Sequence, residues 1–160
     1  MKRSCPSTMA CFVNWPSERA GIGEEPRWLT EPMLLASHAQ QIERFGGAHG
    51  VLDGTVIGSA LARPRHRWAS DPDADLADFA AAYLVGFTRT QGFNDGNKRT
   101  GLACALVFLD LNGRALHVPG KELYALVMQV ATGRADDSVV APYLRDRARL
   151  EVPAAGSSRT

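Results

Sequence analysis

The chain is short of cysteine, of net charge and of long apolar runs, and each shortage narrows the field. Its three cysteines, Cys5, Cys11 and Cys104, are an odd number with no metal-like spacing. Cys104 falls inside an apolar helical pattern and reads as a small buried hydrophobe. The formal charge is only +1, with acids interleaved among the bases. No broad basic surface is therefore on offer, and nucleic acid is not indicated as a direct partner. No apolar stretch is long enough to span a bilayer. Pro6, Asn14, Trp15 and Pro16 interrupt the N-terminal segment before the apolar centre of a signal peptide could form. These absences point to a cytoplasmic protein without a membrane partner.

What is present is enough for one core: 160 residues, 45% of them hydrophobic. Residues 1–28 carry scattered prolines, charges and tryptophans without a period and read as a poorly ordered extension. Residues 152–160, rich in Pro, Ala, Gly and Ser, read as a flexible tail, leaving 29–151 as the domain. There the periodicity is helical almost throughout. Thr30 can cap a helix running to Phe45, with Leu34, Leu35, His38 and Ile42 near one face, and Gly46-Gly47 stops it. Ala48 to Gly58 is glycine-rich and reads as a loop or small β-hairpin around Asp53-Gly54. Asp75 to Arg89 shows one buried face (Leu76, Phe79, Ala80, Tyr83, Leu84, Phe87). Lys98 to Leu111 is apolar on all sides, as a central helix would be, and Asn112-Gly113 closes it. Two more helices follow, Gly120 to Thr132 and one ending near Arg149, with Pro142 expected in the first turn of the last. The fold class is all-α, a helical bundle with one small β element.

Between the third segment and the apolar one lies Gln91-Gly92-Phe93-Asn94-Asp95-Gly96-Asn97-Lys98-Arg99-Thr100. A helix N-terminus presents unpaired N–H groups and the positive end of the dipole, so a loop delivering the chain into one can receive an anion. Gly96 allows close approach of backbone to a phosphate. Asn97 can hold the turn or donate its amide. Lys98 and Arg99 add charge-assisted contacts, with Arg99 capable of a bidentate grip. Asp95 is a hard oxygen ligand of the kind Mg²⁺ takes beside a nucleotide. Phe93 would anchor the loop. The bland reading of Asp-Gly-Asn-Lys-Arg is a turn, a cap and two solvated cations.

The whole pattern resembles the Fic/Doc family, whose motif runs His-x-Phe-x-Asp/Glu-Gly-Asn-x-Arg. Phe93, Asp95, Gly96, Asn97 and Arg99 fall on motif positions, and Asn94-Asp95 with Lys98-Arg99-Thr100 resembles the Doc (death-on-curing) toxins in particular. The resemblance extends from about Leu29 to Arg149, through Arg44–Gly47, Tyr83-Leu84-Val85, Phe108-Leu109, Asn112-Gly113 and Ala131-Thr132-Gly133. It implies a Fic-fold helical bundle with a small flap, and ATP with Mg²⁺ as the bound species. Asp95 would be at the metal, with Asn94, Gly96, Asn97, Lys98, Arg99 and Arg89 at the phosphates. Lys98 stands where the AMP-transferring branch has glycine, and Leu102 where that branch has a second arginine. Both implied differences favour transfer of the γ-phosphate to a Thr or Ser hydroxyl. The family's implied target is elongation factor Tu, and its implied partner is an antitoxin with a helical C-terminal segment.

Gln91 occupies the position of the motif histidine, the family's general base. An amide cannot accept the proton an imidazole takes, and loss of a positioned base costs on the order of 10²–10⁴-fold in rate. The chain as written is therefore expected to be nearly inactive as a transferase. Two accounts stay open. Gln91 is a substitution that disarms a toxin, or it is natural and the chain is a pseudo-enzyme, a nucleotide-binding module, or a Fic fold turned to AMP transfer or small-molecule biosynthesis. Among the histidines, His38 reads as a satisfied surface or core residue, and His66 sits in an expected basic loop, Arg63–Arg67. His49 lies near the expected flap. Arg89 reads equally as a phosphate contact or a helix-C-terminal arginine favoured by the dipole. The acidic run Asp71, Asp73, Asp75 and Asp78 lacks the glycine and closing glutamate of a Ca²⁺ loop and reads as helix capping.

Overall fold

Thr30 accepts a hydrogen bond from the Met33 N–H and starts the first helix, α1 (Glu31–Phe45). Leu34, His38 and Ile42 recur at helical spacing along its buried face. Gly46, at φ +87°, ends it by donating its N–H to Ile42 O. This computed structural model describes residues 25–150. The expected tail and nearly all of the expected extension lie outside that range. Trp28, placed in the extension by its lack of period, is half-buried. It stacks on Phe108 at 5.8 Å and meets Trp68 and Phe79 edge-on, because a ring that size gains more from burial than from solvent.

The second helix, α2 (Gly54–Ser70), corrects the expected loop or hairpin at Asp53-Gly54. Asp53 is an N-cap whose Oδ1 accepts from the Thr55 and Val56 N–H groups. Ile57, Ala60 and Pro64 then supply a buried stripe that outweighs the poor helix propensity of Gly54 and Gly58. The basic stretch Arg63–Arg67, expected as a loop, is part of this helix. Arg63 Nη1 donates to Ala82 O at 3.0 Å, stitching α2 to the next helix.

That helix, α3 (Leu76–Arg89), opens with a reciprocal capping box between Asp75 and Asp78. Ala77 and every residue from Phe79 to Thr88 are buried. It, and not the more evenly apolar α4 (Asn97–Leu111), is the central element. The reason is side-chain size: Ala77, Ala80, Ala81, Ala82 and Gly86 let neighbours close in from all sides. α4 buries Thr100, Gly101, Cys104, Ala105, Phe108 and Leu109 and leaves Leu102 and Val107 partly open.

After α4 the chain turns at Gly113 (φ +78°) into β1 (Arg114–Leu116), then α5 (Gly120–Ala131) and α6 (Asp137–Arg147). Pro142 is the sixth residue of α6, past the first turn where it was expected. The chain ends its described part in β2 (Ala148–Leu150), antiparallel to β1 with Arg114 opposite Leu150 and Leu116 opposite Ala148. The small β element of this helical bundle is thus the β1–β2 pair, not a hairpin before α2. No helix among the described residues is long and apolar enough to cross a membrane.

Candidate functional site

The loop Thr90–Gly96 leaves the buried α3 and feeds α4, so its two ends are held by the best-packed part of the molecule. Phe93 is fully buried and anchors it. Asn97 closes it on itself, donating Nδ2–H to Phe93 O and accepting the Phe93 N–H on Oδ1, both at 3.0 Å. Gly96 takes φ +76°, ψ 17°, a left-handed conformation in which a side chain would be strained. No side chain caps α4. The first turn therefore keeps its anion-receptive character.

A second segment, residues 46–53, lies along this loop as a flap. Val51 bridges Phe93 in antiparallel fashion. Gly92 O accepts from the Leu52 and Asp53 N–H groups at 2.8 and 3.0 Å, and the Asn94 N–H donates to Gly50 O. Asn94 Nδ2 donates to His49 O at 3.1 Å. The approach is close enough to require glycine: a Cβ at Gly47 would stand 2.7 Å from Asp95 Oδ2.

Beside the loop is a cleft of about 450 Å³. One wall is Asp95, Gly96, Asn97, Lys98, Arg99 and Leu102. The other comes from α5: Gly120, Tyr124, Val127 and Met128. Asp95 is exposed. The Gly96 N–H at 2.8 Å and the Ala48 N–H at 3.3 Å hydrogen-bond its carboxylate and hold it below the usual carboxylate range, helped by the charge of Arg99. An ionised, exposed carboxylate next to a helix N-terminus fits a magnesium ion shared with phosphates, which needs only one or two protein carboxylates. Among the described residues no group of three or more His, Cys, Asp or Glu side chains forms a metal cage.

The structure thus brings five of the expected residues, Asp95, Gly96, Asn97, Lys98 and Arg99, to one cleft. Arg99 is already engaged: Nη1 donates to Gln41 O at 3.0 Å and Nη2 to Gly46 O at 2.9 Å, capping the C-terminus of α1. Three others lie elsewhere. Arg89 donates to Val130 O and Ala135 O at 3.2 and 2.6 Å, outside the cleft lining. Asn94 ties the flap. Gln91 is exposed between the end of α3 and Gly92, and it too is outside the lining. The α5 wall escaped the sequence reading altogether, although a tyrosine inside an apolar helix that ends 66% exposed is the kind of residue that signals one. His38 was read as satisfied, and it is: buried to 5%, it donates from Nε2 to the backbone carbonyl of Asp95 at 2.8 Å.

An all-α bundle that presents this glycine-asparagine loop at a helix N-terminus beside a flap defines a class. Residues 28–109 match the Fic/DOC family, and the chain belongs to it. It is 38% identical over 119 residues to the protein kinase doc of Escherichia phage P1, an overlap covering 74% of this chain and 94% of that one. It is 41% identical over 70 residues to toxin Doc of Mycolicibacterium smegmatis, covering 43% of this chain and 54% of the relative.

Proposed function

We propose that the chain is a Doc-like toxin: a Fic-fold protein kinase that passes the γ-phosphate of ATP to a Thr or Ser hydroxyl of a translation factor, elongation factor Tu. The observation that carries this is the cleft itself, where an ionised Asp95, the uncapped first turn of α4 and Lys98 face the largely apolar wall of Tyr124, Val127 and Met128. Asp95 would hold Mg²⁺, which neutralises phosphate charge when bound. Gly96, Asn97 and Lys98 would receive the phosphates through backbone and side-chain N–H groups. Arg99 would add charge from the α1 side of the cleft while keeping its carbonyl contacts.

In the transfer the acceptor oxygen bonds to the γ-phosphorus, the bond to the bridging β–γ oxygen breaks and ADP leaves. The hydroxyl proton must go to a base. Gln91 can orient that hydroxyl but cannot take its proton, so the chain as it stands binds its nucleotide and turns over slowly, by a factor on the order of 10²–10⁴. Two further parts of the reading come from the Doc resemblance. An antitoxin with a helical C-terminal segment would cover and silence the toxin, and both would act in the cytoplasm.

Gln91 also favours a second reading, a nucleotide-binding module without transferase activity. Intact mass of elongation factor Tu, after incubation with Mg²⁺-ATP and either this chain or Gln91→His, separates them. A phosphate-sized gain with Gln91→His alone supports the kinase. An AMP-sized gain supports nucleotidyl transfer instead. No gain with either protein, together with measurable Mg²⁺-ATP binding, supports the binding module.

A further inference from the structure

We propose that His38 is a positioning residue that aims the Asp95 carboxylate, an inference resting on the reading of Asp95 as the metal-holding group. A carboxylate on a loop points where its backbone points. The carbonyl of Asp95 can only accept, so the Nε2 nitrogen of His38, 2.8 Å away, carries the proton of that bond. The ring cannot turn away from it. It lies flat on Phe93, centroids 3.8 Å apart and planes 9° from parallel, and is only 5% exposed. Its backbone belongs to α1, 57 residues earlier in the chain, so the bond fixes the loop to a separate helix.

Two neighbours reinforce the same junction. Ile42, one turn further along α1, sits where a Cβ on Gly96 would meet its Cδ1 at 3.1 Å. Arg99, whose Nη2 would stand 3.7 Å from the same Cβ, donates to Gln41 O and Gly46 O. Helix α1 therefore holds the loop at the residues on and just after the carboxylate. The two N–H groups that meet that carboxylate belong to Gly96, on the same peptide as the carbonyl His38 holds, and to Ala48 of the flap, so rotation of the Asp95 backbone disturbs both. The alternative is an ordinary buried histidine whose only role is to fill space.

Two variants separate these roles. His38→Phe keeps a ring against Phe93 and removes the donor. His38→Gln keeps a donor near the Nε2 position and gives up the stacking. Amide exchange of Gly96 and Ala48 in the full chain reads the aim of the carboxylate directly, with central α3 amides as the control for global stability. Calorimetric titration with Mg²⁺-ATP reads its consequence. The expected result is faster exchange at Gly96 and Ala48, and binding weaker by about tenfold, in His38→Phe, with His38→Gln close to the parent on both. Unchanged exchange in His38→Phe, or equal losses in both variants that track the α3 control, would overturn the proposal. Should the parent itself bind no Mg²⁺-ATP, the nucleotide reading fails, and the exchange data still decide the role of His38.

Discussion

Arg145 grips Asp75 through two nitrogens, Nε to Oδ2 at 2.8 Å and Nη2 to Oδ1 at 3.0 Å, and so ties the last helix to the cap of the central one. Burial alone would push the Asp75 carboxyl up. The hydrogen bonds from Arg145 and the cap with Asp78 outweigh it and leave the group below the ordinary range. Removing Arg145 takes the charged partner from a carboxylate that is only 5% exposed. A fully buried ion loses roughly 3–5 kcal/mol when its partner goes. Arg145 is partly open to water, so Arg145→Ala should cost less, about 2–3 kcal/mol. The denaturant midpoint of unfolding measures this.

Stability should fall on the alkaline side through two buried acids. Burial pushes the Tyr83 phenol from 10.0 and the Cys104 thiol from 9.0, each up to about 12. Both folded-state values are raised, so the native state holds its protons longer than the unfolded chain does. The stabilisation is complete below the unfolded values, near pH 9. It is lost as pH rises through the folded ones. Thermal midpoints measured from pH 8 to 11 should decline, and more steeply than in Tyr83→Phe. Native Cys104 should likewise resist alkylation at pH 8 and react once denaturant is added, as peptide mass mapping would show.

Gly101 lies where α3 and α4 touch. A Cβ there would meet Thr88 Oγ1 at 2.7 Å and the Leu84 carbonyl at 2.9 Å, and a carbonyl cannot rotate aside. Alanine would gain up to about 1 kcal/mol in helix propensity. Overpacking a tight crossing costs about 1–3 kcal/mol. Gly101→Ala should therefore destabilise on balance, by about 1–2 kcal/mol in equilibrium unfolding. A more stable variant would mean that the crossing is looser than the geometry states.

Asn94 joins loop and flap by one side-chain hydrogen bond on the surface. Asn94→Ala should leave global stability within about 1 kcal/mol. Amide exchange should nevertheless quicken across residues 48–52, because the remaining ties there are a few backbone bonds and the Ala48 N–H to the Asp95 carboxylate. Equal exchange in both proteins would assign the flap's order to those remaining bonds.

The loop, its Asp-Gly-Asn turn and the span of α1 were legible because local chemistry determines them: a threonine cap, a glycine stop, an apolar stripe. Helix α2 was not, since Gly54 and Gly58 read as breakers while the cap at Asp53 and the stripe Ile57, Ala60 and Pro64 act only once α3 is present to receive them. The identity of the central helix was misread for a related reason. Hydrophobicity marks burial, but the small side chains of α3 allow neighbours on every side. In the site, the cleft-facing cluster from Asp95 to Arg99 is contiguous in sequence and was visible. The carbonyl partners of Arg89, Arg99 and His38 lie at least 41 residues away and carry no side-chain signature.

The two walls of the cleft stand differently to the family match. The stretch matched to the Fic/DOC family stops at residue 109, while Gly120, Tyr124, Val127 and Met128 come afterwards. Selection can therefore reshape what the cleft admits by altering four positions on one later helix, without touching the signature that marks kinship. Two relatives with the same loop need not share a ligand, and exchanging α5 between them would be a direct way to move a preference from one to the other.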